Sequence, residues 1–108
     1  MPQMSDWDDL AVRVGTVVRA APNEGAKDAA YSLWVDFGAM GELQSSAKIT
    51  DLYQPDQLVG RQVVAVTGFD PMRVGGFRSD VLVLGATTPD GIVLLQPDQG
   101  VPPGSVVE

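Results

Sequence analysis

The sequence predicts an all-β domain: a five-stranded Greek-key barrel with one short helix between its third and fourth strands. Three observations lead there. Short runs rich in Val, Ile, Leu and aromatic residues recur along the chain, separated by Gly, Pro and Asp clusters. Several of these runs alternate with period two rather than 3.6. The clearest interior helix signal, Pro55 to Gly60, falls after the third run.

Each element has its own local signal. Ser5 caps a short helix over Asp6 to Leu10, with Trp7 and Leu10 three apart on one face. Val12 to Ala20 is the first strand; its even positions are mostly β-branched, and both arginines fall on odd ones. Tyr31, Leu33, Val35 and Phe37 alternate with Ser32, Trp34 and Asp36 in the second. Gly38 to Gly41 makes the turn, and Glu42 to Ala47 is the returning strand of a hairpin. The helix starts at Pro55 and is stopped by Gly60. Val63 to Val66 and Val81 to Leu84 are continuous apolar runs that suit strands buried on both faces. Ile92 to Leu95 comes after the turn Pro89-Asp90-Gly91, and Val101 to Val107 adds a last extended segment. Such an order fits the oligonucleotide/oligosaccharide-binding (OB) barrel, with an SH3-like barrel as the structural competitor.

Composition bounds the function. The chain of 108 residues is expected to be one domain, with a core from about 10 to 100. At 44% apolar residues it can bury enough surface to fold. It has no cysteine and no histidine, which removes thiolate chemistry, zinc-thiolate sites and the usual general base. The carboxylates are scattered in turns and no serine sits in a nucleophile elbow, so no catalytic residue, metal or cofactor is expected. The acidic start is unlike a signal peptide, and no apolar run is long enough to cross a membrane, so a cytoplasmic protein without membrane insertion is expected. The net charge of -7 disfavours long-range attraction to a polyanion.

The segment Phe69 to Asp80 concentrates the candidate chemistry. It reads as a loop with two arginines, the adjacent glycines Gly75 and Gly76, and an aromatic. Glycine lets backbone approach a ligand closely, and Arg73 and Arg78 can each fork onto a phosphate. The alternative is a surface ion pair with Asp70 or Asp80. Phe77 can stack on a base, at about 1–3 kcal/mol, line a groove for an apolar peptide, or plug the barrel end. Met72 suits an apolar peptide better than RNA. No Gly-Lys-Ser/Thr comes after the glycines, so this is not a phosphate-cradling P-loop.

Four motifs carry a family resemblance. Arg13-Val14-Gly15-Thr16-Val17 opens the first strand, and Gln44-Ser45-Ser46-Ala47-Lys48-Ile49-Thr50 closes the hairpin region. Tyr53, Pro55 and Leu58-Val59-Gly60-Arg61 lead into Val63-Val64, and Ser79 to Leu84 ends the arginine loop. The chain resembles the tRNA-binding domain found at the end of some methionyl-tRNA synthetases, and within that family the CsaA-type proteins described as export-related chaperones. The resemblance implies an OB-type barrel that binds tRNA or other structured RNA through Lys27, Ser45, Ser46, Lys48, Arg73, Arg78 and Ser79. It equally implies a peptide-binding role toward unfolded or pre-secretory chains, with Tyr31, Met72 and Phe77 lining the groove. A homodimer is implied as well, built from Trp7 and Leu10 at one end and Val101, Val106 and Val107 at the other. Asp28 and Ser32 stand where similar sequences often carry lysine, which weakens the implied RNA binding specifically.

Overall fold

The computed structural model describes residues 11–108. The expected helix over Asp6 to Leu10, with Trp7 and Leu10, lies outside these residues. The strands are β1 (Ala11–Pro22), β2 (Tyr31–Asp36), β3 (Glu42–Ala47), β4 (Gln62–Thr67), β5 (Met72–Val74), β6 (Phe77–Ser79), β7 (Leu82–Val83), β8 (Gly85–Thr88) and β9 (Gly91–Leu94). One short helix, α1 (Pro55–Leu58), lies between β3 and β4.

A five-stranded antiparallel sheet in the order β3-β2-β1-β4-β7 forms the body. The β1–β2–β3 meander with β4 returning beside β1 is a Greek-key path. The sheet curls, and its open seam is drawn together where the chain from Arg78 to Val81 meets β3. There Asp80 N–H donates to the Gln44 carbonyl (2.7 Å), and Ser46 N–H donates to Ser79 Oγ (3.1 Å). The all-β, OB-like barrel expected from the sequence is the observed fold.

β1 is long because it serves two neighbours. Ala11 to Thr16 pairs with β4, and Thr16 to Pro22 pairs with β2. A bulge between Val17 and Arg19 breaks the alternation: Val17 lies opposite Val35, and Arg19 lies opposite Trp34. A bulge adds a residue to one strand and re-aims the side chains beyond it. Without it Arg19 would share the inward face with Val17. This corrects the phase read from the sequence. The core-facing residues of β1 are Gly15, Val17 and Ala20, while Val12 and Val14 are buried on the other side of the sheet opposite Val66 and Val64. The continuous apolar runs behave likewise. Val63, Ala65 and Val81 are fully buried, but Val64 and Val66 are only partly so and Leu82 is exposed, so neither run is buried on both faces.

Phe37, Leu33, Val35, Leu58 and Val63 fill the barrel. Gly15 leaves the room Phe37 occupies: a Cβ there would lie 2.5 Å from Val35 and 2.8 Å from the Phe37 ring. α1 is too short to be stable by itself. It is fixed by a capping box between Gln54 and Gln57, Pro55 in its first turn, and Leu58 buried in the core. Gly60, at φ 88°, ends it as expected. At the far end, Gly104 N–H and Val107 N–H donate to Val14 and Val12 carbonyls, laying the last segment along the free edge of β1. Among the described residues no helix is long and apolar enough to cross a membrane.

Candidate nucleic-acid interface

The outer face of β1, β2 and β3 presents two cross-strand rows. Arg19, Trp34 and Gln44 form one; Ala21, Ser32 and Ser46 form the next. Above them stands the segment read from the sequence as a loop, which is a hairpin, β5–β6, with Gly75 and Gly76 at its turn. Both glycines have positive φ, 59° and 82°, as a type I′ turn requires.

The hairpin is latched to the β1–β2 loop. A Cβ on Gly75 would overlap the Gly25 carbonyl group and the Ala26 nitrogen, so only glycine permits this approach. Buried Asn23 donates through Nδ2 to the Val74 carbonyl (3.0 Å) and to Ser46 Oγ (3.2 Å), tying loop, hairpin and β3 together. Gln44 Nε2 adds a bond to the Arg78 carbonyl at 2.8 Å. The glycines therefore bring backbone to backbone, not backbone to ligand.

Aromatic packing fixes the hairpin from the side. Phe77 meets Trp34 edge-on, with centroids 5.4 Å apart and planes at 82°. Trp34 carries the Arg19 guanidinium on its ring, 4.4 Å from the centroid. Phe77 thus neither plugs the barrel nor stands free as a stacking platform.

The residues expected from the sequence separate into three groups. Lys27, Met72 and Arg73 are exposed around the hairpin and loop, and Ser46 is half-buried on the face. Two cations are already partnered: Lys48 Nζ lies 3.0 Å from Asp28, and Arg78 Nε lies 2.8 Å from Asp80. Asp80 is largely buried and also accepts from Gln44 N–H at 3.1 Å, which holds that pair in place. Arg73 donates to the Gly76 carbonyl within its own hairpin (3.1 Å).

The third group points away from the face, and there the sequence reading needs correction. Ser45 is fully buried opposite Leu33 on the inner side of β3. Ser79 is buried, with its hydroxyl engaged by Ser46 N–H and the Val81 carbonyl. Tyr31 is buried in the core and donates to the Tyr53 carbonyl at 2.7 Å, so it lines no surface groove. Among the segments expected to pair two chains, Val106 is exposed beside Arg13 of β1, and Val101 is clasped through its backbone by Gln62.

Sequence reasoning does not single out Trp34 or Arg19, which this face presents. Trp34 has a signal, since it alternates with Leu33 and Val35 and so must face outward. Arg19 has none, because the bulge sets its direction.

A second concavity lies near the seam. It holds about 340 Å³ between the end of β3 and β7–β9, and Ile49, Leu82, Val83, Leu84, Ile92 and Leu94 make it mostly apolar.

Comparison with known proteins places the whole of this architecture. The family model described as "Putative tRNA binding domain" matches residues 12–106. The chain belongs to this tRNA-binding domain family. It is 41% identical over 95 residues to the methionine–tRNA ligase of Methanothrix thermoacetophila; that stretch is 88% of this chain but 14% of the enzyme. The chain therefore spans a small fraction of the curated relatives it matches. Among solved structures it is similar to the chaperone CsaA of Bacillus anthracis strain Ames, with a TM-score of 0.91 and 44% identity over 100% of this chain and 99% of that one. The CsaA chaperone protein of Picrophilus torridus gives a TM-score of 0.92 at 38% identity, with 100% of both chains covered.

Proposed function

We propose that this chain is a non-catalytic cytoplasmic binding module, homodimeric, that takes tRNA or similarly structured RNA on the outer face of β1–β3. The observation carrying this reading is that the stretch matched by the tRNA-binding family model, residues 12–106, contains that entire face and the hairpin above it. In this reading Arg73 and Lys27 contact phosphates while Ser46 meets the backbone or a base edge. A filter-binding titration with bulk tRNA at low salt, repeated with Arg73→Glu, tests it. Binding that weakens severalfold on substitution supports the reading; absence of binding by the unaltered protein overturns it. Exposed Val106 on the β1 edge supports self-association, and sedimentation of a single monomeric species at micromolar concentration would count against the dimer.

A second reading has its own observation. The apolar concavity near the seam suits side chains of an extended polypeptide, and the chain's CsaA neighbours are named chaperones. In this reading the protein holds unfolded or pre-secretory chains there, with exposed Met72 as a further apolar contact. Suppressed aggregation of a denatured client, lost in Leu82→Asp but kept in Arg73→Glu, is the expected pattern. No suppression at all would remove this reading and leave the first intact.

A further inference from the structure

We propose that Arg19, seated on Trp34, is a phosphate contact of the RNA-binding face, and that Trp34 positions both Arg19 and the Phe77 end of the hairpin. The inference rests on the RNA reading above and deepens it.

Three features single out Arg19. The first is its availability. Among the described residues, Lys48 and Arg78 have carboxylate partners, and Arg13 and Arg73 donate to the Gly104 and Gly76 carbonyls. Arg19 is exposed and, like Lys27 and Arg61, has neither a carboxylate nor a hydrogen-bond partner there; of these three only Arg19 stands in the strand row. The second is pre-organisation. With the indole under it at 4.4 Å, the guanidinium keeps its N–H donors for a ligand while losing little rotamer freedom on binding. The third is the bulge. The extra residue at Val18 sends Arg19 outward into the row with Trp34 and Gln44, beside the latched hairpin.

The Trp34 ring is occupied by Arg19 and Phe77, so its role is support. A phosphate matches the planar donor fork of the guanidinium, and on the face proposed above for RNA, with half-buried Ser46 in the next row, that anion is an RNA backbone phosphate.

The test compares bulk-tRNA binding by the unaltered protein, Arg19→Ala, Arg61→Ala, Trp34→Phe and Trp34→Leu across a salt series, with circular dichroism reporting the fold. Arg61 is the charge control, since it packs over Tyr53 (5.2 Å) and lies outside the strand row. Arg19→Ala should weaken binding about tenfold and lower the salt slope by about one, while Arg61→Ala changes affinity less than about twofold. Trp34→Phe keeps an aromatic seat and should retain most of the affinity. Trp34→Leu should reproduce most of the Arg19→Ala loss although the arginine is still present. Binding by the unaltered protein with no effect of Arg19→Ala overturns the proposal and leaves the RNA reading standing. Equal losses in Arg19→Ala and Arg61→Ala overturn it in favour of diffuse charge. No binding by the unaltered protein overturns both. Should Trp34→Leu fail to fold, exposed Arg19→Ala decides alone.

Discussion

Replacing Gly75 by alanine separates two costs that its neighbour Gly76 does not share. Both positions sit at positive φ, so a side chain at either costs about 1–2 kcal/mol in backbone conformation. At Gly76 nothing lies within 4 Å of an added Cβ, and the cost ends there. At Gly75 the Cβ would run into the Gly25 carbonyl group and the Ala26 nitrogen. These are backbone atoms, which cannot rotate aside, and overpacking of that kind adds about 1–3 kcal/mol. The alternative is for the hairpin tip to lift. That breaks the 3.0 Å bond from Asn23 to the Val74 carbonyl, about 1 kcal/mol with one partner left buried. Either way Gly75→Ala should be less stable than Gly76→Ala by at least about 1 kcal/mol, measured by urea unfolding monitored by far-ultraviolet circular dichroism with the slopes unchanged. If the hairpin lifts, tRNA affinity should fall in Gly75→Ala and not in Gly76→Ala. Equal stabilities and equal affinities would refute the idea that the loop–hairpin contact holds the face together.

Other substitutions probe the remaining supports. Gly15→Ala, which drives a methyl into Val35 and Phe37 at 2.5 and 2.8 Å, should cost about 1–3 kcal/mol in the same assay. Phe37→Ala empties the largest fully buried position and should cost about 3–5 kcal/mol. Asp80→Asn should lower stability by about 1 kcal/mol through loss of the Arg78 pair, yet raise tRNA affinity severalfold because Arg78 is released; unchanged affinity would place Arg78 outside the RNA path.

Most of the architecture is legible in the sequence because turn chemistry and periodicity agree. Pro55 and Gly60 bracket the helix, and Tyr31 to Phe37 alternate cleanly. β1 is harder. Valine occupies both faces there, so hydrophobicity cannot say which face is the core, and nothing local marks the bulge. The same ambiguity makes Val63 to Val66 look buried on both sides. Gly75-Gly76 reads as a ligand cradle because the sequence shows glycine's freedom without showing what approaches it. The partner is Gly25, fifty residues earlier and carrying no matching signal. Ser45 and Ser46 are adjacent and chemically identical, and only the strand phase decides that the first faces inward.

In the RNA reading, the placement of charge lets an acidic chain offer cations on one face. Three of the fourteen acidic residues fall within the first ten positions, which contain no lysine or arginine. On the sheet, charge is graded by row. Asp36 and Glu42 share the cross-strand row of Thr16, whereas the rows of Arg19 and Ala21 contain no carboxylate. Asp28 and Asp80 hold Lys48 and Arg78, which reduces what those two cations can offer a polyanion. The physiological Debye length of about 8 Å exceeds the two-residue spacing of neighbouring rows, so Asp36 and Glu42 would still oppose an anion at Arg19, and only more distant acids are largely screened. The contact in the RNA reading is small: Arg19 on β1, Arg73 on the β5–β6 hairpin and Lys27 in the β1–β2 loop. In that reading the face neutralises few phosphates, and a shallow salt dependence is expected. Shape, set by the latched hairpin, in that reading selects the ligand more than charge does.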